Sequence, residues 1–439
     1  MRAQKVYSNL SKAIKFVADN KENYVKNPGA DFTRIRKLSF EDTIKQILAM
    51  NGGSLKKELY DFKDLHKTNL TPSAFVQQRS KISSKAFKTI FEQFNAACID
   101  REKYKGYRLL AVDGSDINHF RNPDSESFFS YSGYKYGYNQ THLNAIYDVL
   151  NKTYVDILLQ PRPKENEPDA LITMVERNCF RNKNIIIADR GYESYNLIAH
   201  LINKKNVDFL IRVKQGKGAF RVITNLPMME LDKNVTVEIT TTQTNEDKLH
   251  RRVYIQIPSH KKKENSNTVK RNWDFASPYT LQFRVVRFML ETGEYETIVT
   301  SLPRNKFSIS EIKELYHMRW GIETSFRDLK YVIGLNNLHC KKEDLVVQEI
   351  YAALIMYNYC SRISVNASLK KNNERLYSHQ VNFVMAIHLC KFYYKRNKTN
   401  FKELLSEISK YTEPIRPGRS DKRNLYPKRF VGFAYRVAA

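Results

Sequence analysis

Cysteine is scarce in this sequence. Five residues (Cys98, Cys179, Cys340, Cys360 and Cys390) are scattered through 439 positions, and none forms a CxxC pair. That spacing excludes a disulfide framework and a zinc cluster, and it fits free thiols in a reducing compartment. His339 and Cys340 are adjacent but have no partner pair at ligand spacing, so ordinary packing is expected there. No apolar run is long enough to span a bilayer. The opening MRAQKVYSNLSK lacks the apolar segment and cleavage site of a secretory signal, so a cytoplasmic location is expected. Acidic residues are also in deficit, with 46 Asp and Glu against 73 Lys and Arg and a formal net charge of +27. Such a surplus attracts polyanions. Nucleic acid is the first candidate, because the basic residues run the whole length rather than along one membrane-facing stretch.

Hydrophobic residues at 42% and aromatics at 12% are enough for folded domains with cores. Residues 1–103 read as helical. Ser39 caps LSFEDTIKQILAM with Asp42 three residues on, Asn51-Gly52-Gly53 stops it, Thr71-Pro72 starts another helix, and SSKAFKTIFEQFN gives a further amphipathic stretch. Arg34, Arg36, Lys37, Lys45, Lys56, Lys57, Arg79 and Lys81 fit either a module lying on DNA or the solvated faces of ordinary helices.

From residue 104 to 215 the pattern changes. YRLLAVDG is a short buried strand, HLNAIYDVL and TYVDILLQP form a hairpin about Asn151-Lys152, and DALITMVERNCF reads as a helix. NIIIADRG is a second buried strand, followed by the helix YNLIAHLINKK and the strand DFLIRVK, giving β-β-β-α-β-α-β. Residues 216–302 alternate and are rich in β-branched residues, as expected of an inserted β-domain. Residues 303–365 return to helices, with a long one starting at a Ser308 or Ser310 cap. Residues 366–439 are helical with a basic tail, IRPGRSDKRNLYPKRF.

Asp113 and Asp189 each end one of the two buried strands and precede or approach a glycine. Either one alone reads better as a turn aspartate before glycine. As two strand ends of one open sheet they can converge on a point, and a divalent cation is a simple way to hold them there. On the helix after Ser310, at about 100° per residue, Tyr316, Arg319, Glu323, Arg327 and Lys330 fall in one stripe roughly 80° wide. Leu315, Met318, Ile322, Phe326, Leu329 and Ile333 fall on a separate, core-facing arc. Such a ridge either adds a carboxylate to a metal site with cations gripping phosphate beside it, or is a solvated face with i,i+4 pairs. Arg190 is placed to orient Asp189 or to touch phosphate. Asp116, Asp148, Asp156 and Glu193 read as structural acids, and nothing in the spacing of His119 or His142 singles them out. Tyr131, Tyr134, Tyr136 and Tyr138 fit base stacking and core packing alike. Lys261–Lys263 and the tail cations fit backbone contacts or solvated charge.

Tyr316, Arg319, Glu323 and Lys330 match a Y-(2)-R-(3)-E-(6)-K signature within YHMRWGIETSFRDLK. With LLAVDGSD around Asp113, IIIADRGY around Asp189 and a β-rich stretch before the glutamate, the sequence resembles the IS4 family of DDE transposases from about residue 30 to its end. The resemblance implies an α/β fold: an RNase H-like mixed sheet with flanking helices, interrupted by a β-rich insertion, plus an all-helical N-terminal DNA-binding domain. It implies Asp113, Asp189 and Glu323 as the catalytic and metal-binding trio, with two Mg2+ ions for which Mn2+ can substitute. DNA contacts are expected from Tyr316, Arg319, Arg327, Lys330 and Arg190. The expected partners are double-stranded DNA (terminal inverted repeats and target) and a second copy of the chain in a synaptic homodimer, in a bacterial or archaeal cytosol beside the nucleoid. The expected activity is DNA cleavage and strand transfer. Two alternatives are an RNase H-like nuclease that cuts without joining, and a transposase-derived DNA-binding protein without catalysis. One departure concerns the hairpin step. The strand EYETIVTSL has no tryptophan to stack a flipped base, which leaves Tyr295, Trp273 and Trp320 as the available rings.

Overall fold

The computed structural model describes residues 2–66, 69–98, 102–130, 137–216, 220–242, 244–245, 254–257, 260–261, 270–368 and 377–415. Tyr131, Tyr134, Tyr136, Lys262, Lys263 and the basic tail from residue 416 lie outside them.

Five helices open the chain: α1 (Ala3–Asp19), α2 (Phe40–Ala49), α3 (Leu55–His66), α4 (Pro72–Arg79) and α5 (Ser84–Ala96). Their starts follow local chemistry. The Ser39 side chain accepts from Asp42 N–H to cap α2, and Thr71 caps α4 with Pro72 in its first turn. Then come β1 (Arg108–His119), β2 (Phe128–Phe129), β3 (Tyr138–Asp148), β4 (Thr153–Pro161), α6 (Glu167–Arg177), β5 (Asn184–Ala188), α7 (Tyr195–Asn203) and β6 (Val207–Val213). A short α8 (Arg221–Thr224) leads to β7 (Leu231–Thr240), β8 (Tyr254–Gln256), β9 (His260–Lys261), β10 (Lys270–Arg271), β11 (Tyr279–Met289) and β12 (Tyr295–Thr300). The described chain closes with α9 (Ile309–His317), α10 (Trp320–Arg327), a π-helical turn Asp328–Val332, α11 (Glu343–Ser364), β13 (His379–Val381), α12 (Phe383–Lys395), α13 (Phe401–Lys410) and β14 (Thr412–Pro414), which pairs with β13.

The main sheet runs β2-β3-β1-β5-β6-β12-β11-β7-β8, with β4 also on β3. β1, β3 and β4 pair antiparallel, while β1, β5 and β6 pair parallel through helical crossovers. This is the expected RNase H-like mixed sheet with helices on its faces. β12 pairs antiparallel with β6, from Thr297↔Val213 to Thr300↔Leu210, so the strands of the 216–302 region extend the same sheet. The N-terminal helices pack on α11, and one apolar cluster contains Val6, Leu10, Ile44, Phe87, Ile90, Leu354 and Ile355.

Two expectations are corrected. β1 does not end at Asp113. β5 stops pairing with it at Ala111↔Ile187, but β3 holds it extended as far as His119, so Asp113 and Asp116 both lie within the strand. The helix after Ser308 is not continuous either. Ser308 and Glu311 form a full capping box, as a strong start requires. Around Met318–Ile322 the ladder then tightens to i→i−3 bonds: Arg319 N–H to Tyr316 O at 3.1 Å, Gly321 N–H to Met318 O at 3.0 Å and Ile322 N–H to Arg319 O at 3.1 Å. It widens afterwards, with Ile333 N–H bonding Asp328 O at 2.9 Å. A stripe built on one uniform helix cannot survive both changes.

Candidate active site

Strand register explains how the two aspartates meet. β1 and β5 are in parallel register at Ala111↔Ile187, and two further residues along each chain bring Asp113 level with Asp189. β5 and β6 align Ala188 with Ile211, so Arg212 falls at the same level. Residues at one level of a pleated sheet point to one face. That face also carries Leu109, Ile185, Ile187 and Leu210, and it is covered by Ile312, Leu315 and Tyr316 of α9. Past His317 the chain continues into α10, which carries Glu323. Asp113, Asp189 and Glu323 thereby line one open cleft of about 530 Å3 together with Arg190, Arg212, Arg319 and Trp320.

Asp113 Oδ1 accepts from Gly114 N–H at 2.9 Å, and Asp189 Oδ1 accepts from Gly191 N–H at 2.7 Å. Arg319 is buried between the carboxylates. It donates to Glu323 Oε1 at 2.9 Å and lies 3.7 Å from Asp113 Oδ2. Its guanidinium also sits 5.0 Å from the Trp320 ring centroid and 5.8 Å from that of Tyr316. Burial, with smaller contributions from Asp189 and Glu323, raises the Asp113 pKa to about 7 against the opposing pull of Gly114 N–H and Arg319. A carboxyl in that condition is stabilised by any cation that joins it.

The five expected DNA contacts do not share one face. Tyr316 is buried in the core under Arg319. Arg190 is exposed at the cleft mouth. Arg327 is 69% exposed, pairs loosely with Asp328 at 3.8 Å and does not line the cleft. Lys330 is half-buried, with burial holding its pKa down and the Asp116 charge opposing. Trp273 is 4% exposed, packs among Phe275 and Tyr279 and donates to Ala276 O, so it is a core residue and no platform for a base. Trp320 is 42% exposed at the cleft. Tyr295 lies in an adjoining depression that shares Arg190 and Arg212 with it.

A second polar cluster lies on the other face of β1. The register pairs Asp116 with His142, whose Nδ1 is 2.7 Å from Asp116 Oδ1 and 3.3 Å from Glu165 Oε2. Asp116, His142 and Glu165 offer one ligand-type atom each within 4.8 Å of one another, a group capable of holding a metal ion. The other ring nitrogen, Nε2, lies 3.3 Å from Glu167 Oε1, and Arg162 pairs with both Asp116 and Glu165. Burial opposes the charged ring, yet the Asp116 and Glu167 carboxylates outweigh it and raise the His142 pKa to about 9. An imidazolium has no lone pair for a metal. At neutral pH the protonated ring makes this cluster an ion-pair network of His142 and Arg162 with Asp116, Glu165 and Glu167. The spacing of His142 does not single it out, and Arg162, Glu165, Glu167 and Arg212 carry no motif in the sequence. The hairpin about Asn151-Lys152 sets β3 against β4 only, so the β1–β3 pairing that puts His142 opposite Asp116 has no local signal.

The remaining acids behave structurally. Asp148 bonds Arg108 at 2.8 Å, Asp156 bonds Arg177 Nε at 2.8 Å, and Glu193 accepts from Lys214 N–H at 2.8 Å and Phe220 N–H at 2.7 Å. His339 is held by Glu349 and by Gly53 O, as ordinary packing requires, and the five cysteines are free. Arg79, counted among the basic residues for DNA, is 2% exposed and bonded to Gln348, Glu349 and Leu345 O, so it is a core brace. Among the described residues no helix is long and apolar enough to cross a membrane.

The family described as "Transposase DDE domain" matches residues 104–359, more than half of the chain. The putative transposase InsL for insertion sequence element IS186A of Escherichia coli (strain K12) is 33% identical over 66 residues, 15% of this chain and 18% of that protein. The putative transposase for insertion sequence element IS4SA of Synechocystis sp. is 34% identical over 82 residues, 18% of this chain and 24% of that protein. The chain thus aligns with about a quarter or less of the length of these curated relatives. A piggyBac transposase in a synaptic complex with hairpin DNA superposes with a TM-score of 0.47 at 12% identity, over 95% of this chain and 86% of that one.

Proposed function

The chain belongs to the DDE transposase domain family, and from that premise we propose that it is an insertion-sequence transposase that cuts and joins DNA by metal-dependent phosphoryl transfer. The observation that carries this reading is the convergence of Asp113, Asp189 and Glu323 on one cleft rimmed by Arg190, Arg212 and Arg319. The donor set fits the ion. Three carboxylates are hard oxygen ligands suited to Mg2+ or Mn2+, and the burial that raises the Asp113 pKa is a cost that a bound cation would offset. Asp113, Asp189 and Glu323 would hold two such ions. Bound there, the ions supply activation of an attacking water or 3′-hydroxyl and stabilisation of the leaving oxygen.

The chain's own residues position the DNA. Arg319 lines the cleft beside Glu323, where its guanidinium offers a positive charge to a phosphate. Tyr316 acts beneath it as a platform that fixes the guanidinium. Arg190 grips phosphate at the cleft mouth, and Lys330 and Arg327 reach the duplex beyond the cleft. The net charge of +27 draws DNA in. Terminal inverted repeats and target DNA are the proposed substrates. A synaptic homodimer is the proposed assembly, in a bacterial or archaeal cytosol beside the nucleoid.

The test uses the full chain, duplexes carrying the element's terminal repeats, and Mg2+ or Mn2+. Nicked ends followed by joined products are expected. Glu323→Gln should bind ends but not nick them. Nicking at the normal rate by that variant would remove Glu323 from the site. Cutting with no joined product would favour a plain nuclease, and end binding without cutting would favour the silent DNA-binding protein.

A further inference from the structure

The hydrogen-bond ladder between β1 and β5 ends at Ala111 and Ile187, two residues before Asp113 and Asp189. Beyond that point no backbone pairing between the two strands fixes the separation of the aspartates. Each is followed closely by a glycine, Gly114 and Gly191, and one side chain fills the space where the β-carbons of both would be. A β-carbon on Gly114 would collide with Glu167 Oε1, and one on Gly191 would lie 3.1 Å from Glu167 Oε2. Asp189 Oδ1 is 3.0 Å from that same position on Gly191, which makes Glu167 and Asp189 neighbours across a single residue.

Glu167 is itself fixed from two sides. It is the first residue of α6, whose start is set by Asn166 accepting from Asp169 N–H. A carboxylate there is favoured by the helix dipole. Its Oε1 lies 3.3 Å from His142 Nε2, and the opposite ring nitrogen of His142 is anchored on Asp116 at 2.7 Å. The chain of contacts Asp116–His142–Glu167 thus runs behind the sheet and ends against the two backbone segments that present the aspartates.

We infer that Glu167, held by His142, is a positioning residue for the cation-binding trio: it sets the spacing of Asp113 and Asp189 from behind the strands without itself entering the cleft. The inference rests on the reading of Asp113, Asp189 and Glu323 as the cation site. It also gives Gly114 and Gly191 a shared purpose, since a side chain at either would crowd this carboxylate.

The test measures Mn2+ binding to the purified full chain, by the electron paramagnetic resonance signal of free Mn2+, with the metal-free melting temperature as a second readout. Glu167→Gln keeps the shape and removes the charge. Outer partners of metal ligands are worth roughly 10- to 100-fold in metal affinity, so a weakening of about 10-fold or more is expected. His142→Gln, which loosens Glu167 without altering it, should weaken Mn2+ binding in the same direction. The double variant should be no weaker than the more affected single one, because both changes break one chain of contacts. A merely structural role would lower the melting temperature and leave Mn2+ affinity unchanged, and that result would overturn the inference. Glu323→Gln is measured alongside. If it abolishes Mn2+ binding while Glu167→Gln and His142→Gln leave it intact, only the inference about Glu167 falls. If Glu323→Gln binds Mn2+ normally, the reading of the cleft falls first.

Discussion

Replacing Arg79 by methionine is expected to destabilise the protein by about 3–5 kcal/mol at neutral pH, the usual cost of removing one partner from a buried ion pair. Its guanidinium bonds Gln348 Oε1 at 3.1 Å, Leu345 O at 2.8 Å and Glu349 Oε1 at 2.6 Å, tying the end of α4 to α11. Methionine fills much of the volume but leaves the Glu349 charge with His339 and the neutral Cys340 thiol as partners. Burial alone would raise the Glu349 pKa, but Arg79 and His339 outweigh it and bring it to about 2. A depressed carboxylate stabilises the fold above its ordinary pKa of about 4.5 and loses that contribution as pH falls toward 2. The gap between wild type and variant should therefore be widest near pH 7 and narrow below about pH 4.5. Against a total stability of roughly 5–15 kcal/mol, such a loss is easily resolved by urea unfolding followed by circular dichroism at two pH values. A variant that unfolds like wild type but binds duplex DNA with a reduced salt slope would refute this reasoning and make Arg79 a phosphate contact.

Gly114→Ala should cost roughly 1–3 kcal/mol, because its β-carbon would collide with His142 Nε2 and force that ring or Glu167 aside; an unchanged melting curve would mean the two side chains move freely. The His142 pKa is raised from 6.5 to about 9, so its stabilisation is complete below about pH 6.5 and is lost as pH rises through 9. His142→Gln should flatten the fall in melting temperature between those limits, and a fall as steep as in wild type would count against the ion pairs. Trp273→Ala should destabilise by roughly 3–5 kcal/mol as a buried aromatic truncation. Trp320→Ala should leave stability nearly unchanged and weaken end binding, and the reverse pattern in melting and binding assays would contradict the assigned environments. With the Asp113 pKa near 7, Mn2+ affinity should rise between pH 6 and pH 8 as the proton that competes for that carboxylate is lost; equal affinities by titration would place Asp113 outside the cation site.

Much of this protein is legible without coordinates, for a local reason. The caps at Ser39, Thr71 and Ser308, the hairpin about Asn151-Lys152 and the alternation of β7 and β11 each depend on residues a few positions apart. Asp113, Asp189 and Glu323 are visible as candidates because two end short apolar runs near glycine and the third sits in a spaced signature. What the tertiary structure decided depends on distant partners. Strand register put Asp113, Asp189 and Arg212 at one level, and also put His142 against Asp116. Hydrogen bonds that tighten and then widen beyond His317 split a uniform helical ridge, so Arg319 and Glu323 face the cleft while Arg327 does not. Packing against α11 turned Arg79 from a plausible DNA contact into a buried brace. Period and caps are written in neighbouring residues. Register, helix breaks and the burial of charge are set by contacts between segments far apart in the chain, where the pattern of either segment alone is silent.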